Sequence, residues 1–555
     1  MMSDEICAVC GIPARRKCGG CQQVTYCDQN HQRQHWKDTH RSECRCYKIS
    51  SNSLLGRHLT ATRAIRRGEI IYRDPPLLLG PKVGSVPVCL GCHRNLIPLL
   101  QDDGRKKTLY TCRRCTWPLC GESCESSRLH TEECQLFSSK GYRARIAFNE
   151  LEPERRDSSY CVILPLRAIL LKNSDPQMYA KILTFESHLE TRRTTQLYTI
   201  MQSNLVPFVQ SVLGLRDVQG EEILELCGIL DTNTYEIRVP EKGIKIRALF
   251  KEGAMLSHSC RPNTKHYFDD SMNMVLVAAV DIARNEVISA SYSQPLQSTI
   301  QRRYIIKLAK CFECCCERCQ DPTEFQTYIS CIICPECSTT AKVIAVDPTD
   351  FRSAWQCQNH RCTYSESFQQ YVTRNEAFQA KIVALSKGSP QEYELFLATH
   401  QSILHPWNTY ALQVKYALCQ LYDGKLDYIG KQQDLTEDQL HRQVDLCMGL
   451  LEVADRFEPG QSVFRGKLLL NLRKVLLVLK KQLGALFDTE MVPQSRNQQI
   501  EFGVRKKQKD IARKQVCTQP SLTYNRQLVE VEKELEEMMK SDPELGKQYK
   551  SSSQQ

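Results

Sequence analysis

Two short stretches decide how this chain folds: LSHSCRPN at residues 256–263 and FECCCERC at residues 312–319. A tetrahedral zinc site takes four ligands, and the second stretch offers only three in ligand spacing, so the fourth must come from elsewhere in the chain. Cys315 lies between two of these ligands and is expected to point away from the ion. The three closely spaced sulfur ligands are Cys314, Cys316 and Cys319.

The cysteine count sets the wider context. The chain has 30 cysteines among 555 residues, and three of them follow Cys362. Residues 1–5, MMSDE, lack the basic and apolar regions of a signal peptide, and no apolar run approaches the ~18 residues of a membrane helix. We therefore expect a chain that is neither secreted nor membrane-spanning and works in the cytoplasm and nucleus. Thiols stay reduced there, so paired cysteines indicate metal sites.

Composition excludes several classes of protein. Hydrophobic residues make up 41% and charged residues 25%, which is ordinary for a globular chain and argues against wholesale disorder or a fibrous repeat. The length predicts several modules. The net charge of +11 is a mild basic bias that permits contact with nucleic acid without requiring it.

The first metal cluster lies at the N-terminus. It combines two Cys-x2-Cys pairs with two pairs at x3 spacing, and the x3 spacing puts both ligands on one face of a helical turn. Eight ligands suffice for two tetrahedral zinc ions, and His35 is a possible competitor of His31. The interleaved assignment gives Cys7, Cys10, Cys27 and His31 to one ion, and Cys18, Cys21, His40 and Cys44 to the other.

A second cluster repeats the ligand order of the first with a longer insert, which indicates a diverged internal repeat. All four positions of each ion are filled, so both clusters are interpreted as structural. The assignment gives Cys89, Cys92, Cys120 and Cys124 to one ion, and Cys112, Cys115, His130 and Cys134 to the other.

A further site resembles a zinc ribbon beside the strand-like run at residues 341–346, with Cys331 as a spare thiol. With this ribbon the chain is expected to bind about six zinc ions. The ribbon ligands are Cys334, Cys337, Cys357 and Cys362.

Short strand patterns surround the second cluster. Residues 56–65 alternate, a turn follows at Gly68, and residues 70–72 are β-branched or aromatic, which predicts a β-hairpin. Residues 274–280 and 287–292 add further strands of a small β-rich domain, whereas residues 150–230 are predicted to be helical.

The motifs resemble those of SET-domain lysine methyltransferases. Residues 256–263 are similar to the Asn-His-Ser-Cys-x-Pro-Asn motif, Ser291-Tyr292 follows at the distance of the active-site tyrosine, and residues 312–319 are similar to the post-SET motif. The N-terminal cluster resembles a MYND finger. The order of these elements resembles the SET-and-MYND (SMYD) family, and the additional N-terminal finger is similar to its arthropod (SmydA-like) branch.

This resemblance implies a multidomain α+β fold with a C-terminal all-α, TPR-like domain, although a divergent helical bundle is the alternative because no strict repeat is visible. The implied domains are a MYND-type finger at 1–48, the first part of the SET domain at 49–85, a MYND-like insert at 86–136, a helical insert at 137–232, the core SET domain at 233–297, a post-SET zinc loop at 298–325, a zinc ribbon at 326–370, the helical domain at 371–545 and a disordered tail at 546–555.

The resemblance also implies S-adenosylmethionine as cofactor and assigns roles to individual residues. Tyr292 would hold the substrate amine near the methyl group as the catalytic residue. Cys260 would complete the third zinc site and close the post-SET loop over the cofactor. The implied cofactor-binding residues are Gly56, Arg57, Asn233, Ser257, His258 and Phe312.

Several positions depart from the family pattern. Ser257 replaces an asparagine, and Leu55 and His58 flank Gly56-Arg57 where arginine and glycine are usual. Lys310 stands in the place of the second active-site tyrosine. An ammonium ~6 Å from the cofactor sulfonium would repel it by roughly 3 kcal/mol at an effective dielectric near 20, about a hundredfold in affinity; alternatively, the side chain turns to solvent.

Two functions remain open at this point. One is S-adenosylmethionine-dependent methylation of lysines in histones or other proteins, favoured by Gly56, Tyr292 and Phe312. The other is a catalytically degenerate scaffold in transcriptional regulation, favoured by Ser257 and Lys310, which recruits proline-containing peptides through its MYND surfaces. We expect a monomer without membrane contact. Direct DNA binding is not expected, because the fingers lack a dense basic helix, and the Arg505–Lys509 run favours a solvated turn.

Overall fold

A computed structural model describes residues 6–41, 44–97, 109–146, 155–239, 244–337, 341–385, 388–428, 435–488, 520–541 and 545–546. In these ranges the molecule is a multidomain α+β protein, which confirms the predicted fold class. The Arg505–Lys509 run and residues 547–555 of the expected tail lie outside the described residues. None of the described helices combines the length and the apolarity needed to span a bilayer.

The strands of the described ranges are short. They are β1 (Arg16–Lys17), β2 (Thr25–Tyr26), β3 (Tyr47–Asn52), β4 (Gly56–Ala61), β5 (Ile70–Asp74), β6 (Pro76–Gly80), β7 (Thr234–Val239), β8 (Ile244–Phe250), β9 (Ser257–His258), β10 (Thr264–Phe268), β11 (Met274–Ala278), β12 (Ser289–Ala290), β13 (Ile332–Ile333), β14 (Lys342–Ala345), β15 (Trp355–Cys357) and β16 (Ser365–Glu366).

The α-helices become longer toward the C-terminus. They are α1 (Gln29–His35), α2 (Arg128–Ser139), α3 (Ile163–Ser174), α4 (Pro176–Ile182), α5 (Leu189–Arg192), α6 (Gln196–Ile200), α7 (Gly220–Asn233), α8 (Thr299–Lys310), α9 (Glu317–Gln320), α10 (Phe368–Leu385), α11 (Pro390–His400), α12 (Thr409–Tyr428), α13 (Glu437–Phe457), α14 (Val463–Asp488) and α15 (Pro520–Ser541).

Four small sheets build the β-rich part. Two three-stranded sheets have the orders β10-β11-β5 and β6-β8-β7, and β3 pairs with β4. The parallel pair of β9 and β12 joins two segments that are about thirty residues apart in sequence, with Ala290 opposite His258. This short pair lies between the two clefts described below.

The prediction that residues 56–65 and 70–72 form a hairpin is wrong. Strand β4 pairs with β3, whereas β5 pairs with β11 and places Tyr72 opposite Leu276. The turn between β4 and β5 docks on β11, where the Gly68 N–H donates to the Ala278 carbonyl at 2.8 Å. Local alternation predicts a strand, but the partner is chosen by the face that each strand buries.

One core connects the SET-type strands, the second cysteine cluster and the helical insert. Leu59, Trp117, Leu166 and Ile246 are all fully buried members of this core. The second cluster is therefore packed into the domain rather than suspended from it. Helix α3 is buried along most of its first two turns, as its leucine pattern predicted.

The C-terminal helices form a second core. Helices α11 to α15 pack on their neighbours in chain order, with Leu412, Leu440, Leu468 and Leu535 buried between them. The amide of Asn408 fixes the start of α12, because its oxygen accepts from the Tyr410 N–H at 3.0 Å.

A buried ion cluster joins the third metal cluster, formed by Cys260, Cys314, Cys316 and Cys319, to this helical core. Glu324 Oε2 accepts hydrogen bonds from Arg302 Nη1 at 2.7 Å and from Arg318 Nε at 3.0 Å. All three side chains are at most 2% exposed. Arg318 lies 3.3 Å from the ring centroid of Phe457 in α13. Burial by itself would raise the pKa of Glu324, but the two guanidinium groups hold it below its ordinary value.

Replacing Glu324 by glutamine is expected to destabilise the fold. The substitution keeps the shape but removes the carboxylate that pairs with both buried guanidinium groups, which costs roughly 3–5 kcal/mol. Urea unfolding of Glu324→Gln measures the loss, and the exposed Glu317→Gln variant on α9 is the matched control. A Glu324→Gln variant as stable as the control would contradict this account.

Candidate functional site

The residues predicted to contact a cofactor lie together in one cleft of about 460 Å³. The cleft opens between the β3–β4 hairpin, the end of α7, strand β9 and the segment that follows α8. The predicted residues on its wall are Gly56, Arg57, Asn233, Ser257, His258, Tyr292 and Phe312.

Hydrogen bonds fix His258 in the centre of this wall. The backbone N–H of Tyr292 donates to His258 Nδ1 at 3.0 Å. Nδ1 is therefore the acceptor nitrogen of a neutral imidazole, and Nε2 carries the proton. Nε2 lies 3.2 Å from the sulfur of Cys260, so His258 joins the tyrosine segment to the third metal cluster.

Tyr292 is held by both its backbone and its hydroxyl. The hydroxyl donates to the carbonyl of Leu256, and the ring packs 5.2 Å from the His258 ring, centroid to centroid. Tyr235 lines the same cleft and donates to the Gly253 carbonyl at 2.8 Å. Burial raises the pKa of Tyr292 to about 12, so its phenol stays protonated at neutral pH.

Ser257 offers the cleft an unused polar group. Its Oγ is buried and has no hydrogen-bond partner within the part of the chain that the structure describes. Such a group costs free energy unless a ligand satisfies it. The amide of Asn233 is more constrained, because its Nδ2 donates to the carbonyls of Glu186 and Ile229 at 2.8 Å each.

Gly56 and Arg57 form the rim at the tip of the β3–β4 hairpin. Gly56 has φ of +61°, a left-handed conformation that favours glycine. Arg57 Nη2 donates to the carbonyl of Thr184 at 2.5 Å, which anchors its guanidinium on the helical insert. On the opposite side the ring of Phe312 lies 6.1 Å from the His258 ring and remains 36% exposed.

Lys310 lies on the wall of the cleft and does not turn to solvent. Its Nζ donates to the carbonyl of Thr232 at 2.5 Å and lies 5.3 Å from the ring centroid of Tyr292. Burial, with Arg247 and Arg192 nearby, lowers the pKa of Lys310 to about 8. At pH 8 about half of these amines are uncharged, which reduces the expected repulsion of a cationic ligand.

Several groups of cysteines and histidines in the described ranges have the geometry to hold a metal ion, since the ligand atoms of each group lie within 4.8 Å of one another. Sulfurs on a tetrahedral zinc with bonds of about 2.3 Å lie about 3.8 Å apart, close to the spacings found. Five of these groups are Cys7, Cys10, Cys27 and His31; Cys18, Cys21, His40 and Cys44; Cys89, Cys92, Cys120 and Cys124; Cys112, Cys115, His130 and Cys134; and Cys260, Cys314, Cys316 and Cys319.

The ribbon cysteines approach each other in the same way. Cys334 and Cys362 have their sulfurs 3.7 Å apart, and so do Cys337 and Cys357. Cys331 is buried, and its sulfur faces the carbonyl of Pro322. The sulfur spacing of the ribbon therefore fits the same kind of ion as the five groups above.

The structure separates His31 from its competitor. His31 Nδ1 lies 3.7 Å from the sulfur of Cys7 and 2.9 Å from that of Cys27. His35 instead contacts the Tyr26 hydroxyl at 3.0 Å and stacks on His40. The geometry favours His31 as the ligand.

The sequence analysis did not identify the charged side chains that contact the proposed metal ligands. Arg302 Nε lies 3.2 Å from the sulfur of Cys260, and its Nη2 lies 3.5 Å from that of Cys319. In the second cluster Glu133 lies 3.5 Å from His130 Nδ1 and binds Arg167 through both oxygens. In the sequence, each of these side chains is simply a charged residue on a helix, and such a residue usually lies on a solvated face.

Family comparisons agree with this geometry. A MYND finger model matches residues 7–44, and a SET domain model matches residues 56–293. The chain is 29% identical over 327 residues to SET domain-containing protein SmydA-8, isoform A, of Drosophila melanogaster, which covers 56% of this chain and 64% of that protein.

Two lysine methyltransferases are also similar. Histone-lysine N-methyltransferase ASHR1 of Arabidopsis thaliana is 25% identical over 58% of this chain and 60% of its own length. Histone-lysine N-methyltransferase SMYD3 of Homo sapiens is 24% identical over 48% of this chain and 59% of its own length. The chain thus spans about 60% of the length of these relatives. The chain therefore contains a MYND finger and a SET domain and is similar to SET-and-MYND (SMYD) proteins, which confirms the resemblance that the sequence motifs predicted.

Proposed function

We propose that this protein is an S-adenosylmethionine-dependent protein-lysine N-methyltransferase. The observation that carries the proposal is the single cleft that collects all seven residues assigned to cofactor binding and catalysis. The SET domain model and the relatives named as lysine methyltransferases support the same chemistry. We propose lysines of histones or of other proteins as its substrates.

The donor set of the cleft fits the cofactor. S-adenosylmethionine supplies an electrophilic methyl group on a sulfonium sulfur. Arg57 at the rim offers a guanidinium for its carboxylate, and Ser257 Oγ is a buried hydroxyl that a ligand can satisfy. Phe312 presents a half-exposed ring on which an adenine can pack.

Tyr292 would position the substrate amine. Its hydroxyl and backbone are fixed by Leu256 and His258, so the ring holds one orientation beside the cofactor wall. A fixed approach geometry supplies a large part of the rate of an in-line displacement. The phenol remains neutral and can orient the amine through its oxygen.

A second and larger cleft gives a protein substrate access from the opposite side. It has a volume of about 920 Å³ and lies between the SET strands and the C-terminal helices. Ser291 lines this cleft, whereas its neighbour Tyr292 lines the cofactor cleft. A lysine side chain inserted from the larger cleft would meet the wall formed by β9 and β12.

We further propose that each four-ligand group, including the ribbon, binds one zinc ion, giving six ions per chain. The ions would fix the finger surfaces and the post-SET segment as structural sites. The finger surfaces would bind proline-containing peptides of partner proteins, and the chain would act as a monomer.

A scaffold without turnover is the second candidate, favoured by Lys310 in the cleft. The two candidates differ in cofactor binding. Calorimetry with S-adenosylmethionine distinguishes them, because a scaffold with a degenerate cleft gives no heat at millimolar cofactor, whereas the enzyme binds.

Replacing Tyr292 by phenylalanine is expected to lower lysine methylation at least about 100-fold, because the amine loses its positioning hydroxyl. Incorporation of labelled methyl into proteins of a cell lysate measures the rate, and zinc content should stay at the wild-type value. Tyr72→Phe is the matched control, since its hydroxyl contacts the Met274 sulfur outside the cleft. Full activity of Tyr292→Phe would refute the assigned role.

Replacing Cys316 by serine is expected to remove one zinc ion and to weaken cofactor binding at least about tenfold. The third cluster closes the segment that carries Phe312, and three ligands hold zinc much less firmly than four. Elemental analysis counts the zinc, and calorimetry measures the cofactor. Cys315→Ser, at an exposed sulfur outside the cluster, should keep the full zinc content. Equal zinc in both variants would contradict the ligand assignment.

A further inference from the structure

The amine of Lys310 lies in the cleft proposed for the cofactor. It shares the cleft wall with Ser257, His258 and Phe312, which are assigned to the cofactor. Its Nζ is held over the face of Tyr292, 5.3 Å from the ring centroid, and the proposed function makes this tyrosine the residue that positions the substrate amine.

Helix α8 imposes this position. The helix starts at a capping box formed by Ser298 and Gln301, and it ends at Cys311, whose φ of +59° is left-handed. Arg302 and Arg303 bury their guanidinium groups in the post-SET segment and so fix the rotation of the helix. As the last residue of this helix, Lys310 is directed into the cleft.

A neighbouring lysine shows the contrast. Lys307 lies one turn earlier on α8, is 58% exposed and pairs with Glu313 at 2.6 Å. It is therefore outside the cleft, although it shares the helix with Lys310. This makes Lys307 an internal reference for nonspecific methylation.

The charges around Lys310 favour the nucleophilic form of its amine. A methyl acceptor must be the uncharged amine, and burial together with Arg247 and Arg192 lowers the pKa of Lys310 to about 8, against a smaller opposing effect of Asp231. An ordinary exposed lysine has a pKa near 10.4 and is almost wholly charged at pH 8. The other ionisable groups on the cleft wall are Arg57, Glu186, His188, Tyr235, His258, Tyr292, Glu313, Cys314, Cys315 and Cys316.

We propose that Lys310 is a methyl acceptor within its own molecule, so that the protein methylates the wall of its own cofactor cleft. The proposal rests on the proposed function, since it requires bound S-adenosylmethionine. The uncharged Lys310 Nζ forms a bond to the methyl carbon, and the carbon–sulfur bond breaks with its electron pair remaining on sulfur. The products are S-adenosylhomocysteine, Nε-methyl-lysine at 310 and one proton released to solvent.

The modification would change the cleft without removing the cation. A monomethylated amine keeps donors for the Thr232 carbonyl and gains an apolar methyl over the Tyr292 ring. The methyl group occupies space in a cleft of about 460 Å³ beside the expected reacting atoms. The first turnover would therefore alter the site in which later turnovers take place.

The test is tandem mass spectrometry of the full-length zinc-loaded protein after incubation with S-adenosylmethionine, with calorimetry of the same preparation. We expect one methyl group on Lys310, none on Lys307, and at least about a 100-fold slower reaction in Tyr292→Phe. The rate should rise about tenfold per pH unit below pH 8 and level off above it, because the uncharged fraction does so. Thermal unfolding checks that Lys310→Arg, which removes the acceptor and keeps the charge, is folded.

The outcomes are distinct. If the cofactor binds and Lys310 stays unmodified, the inference fails while the proposed function stands; if the cofactor does not bind, both fail. The modified fraction at a fixed time should be independent of protein concentration. A rate proportional to protein concentration would show transfer between molecules and overturn the inference.

Discussion

The sulfur atoms of Cys260 and the post-SET cysteines are the interaction on which the rest of the structure depends. Cys260 is more than fifty residues from the other three, yet its sulfur lies 3.6 Å from that of Cys319. One ion shared by these sulfurs would close the chain into a loop whose wall carries the residues that we propose bind the cofactor. On one side His258 extends this contact to Tyr292, and on the other Arg302 extends it to the buried ion cluster.

This arrangement couples three parts of the molecule. The guanidinium of Arg318 binds Glu324 and lies on Phe457 of the C-terminal domain, while its Nη2 donates to the carbonyl of Pro295 on the larger cleft. These contacts link the four cysteines to residues that line both clefts. Buried charges are costly to leave unpaired, so the network favours one arrangement of the domains.

Much of the site could be predicted because ligand spacing is a local property. A pair such as Cys334-x2-Cys337 indicates a metal site from four consecutive residues alone. The motif residues Ser257 and Tyr292 line the same cleft, as the motifs predicted. Strand partners could not be predicted in this way: β5 pairs with β11, some two hundred residues later, and local alternation does not record that choice. Arg302 and Glu133 were missed because a charged residue on an amphipathic helix is normally solvated. The position of Lys310 depends on the end of α8 and on Thr232, which the sequence does not connect.

The central claim is that the metal cluster of Cys260 shapes the cofactor cleft. Its most direct test is calorimetric titration of S-adenosylmethionine into the zinc-loaded protein and into the same protein after complete metal removal by a chelator. The account predicts binding to the first and none to the second, with binding restored when zinc is returned. Equal affinity for the loaded and the metal-free protein would contradict it.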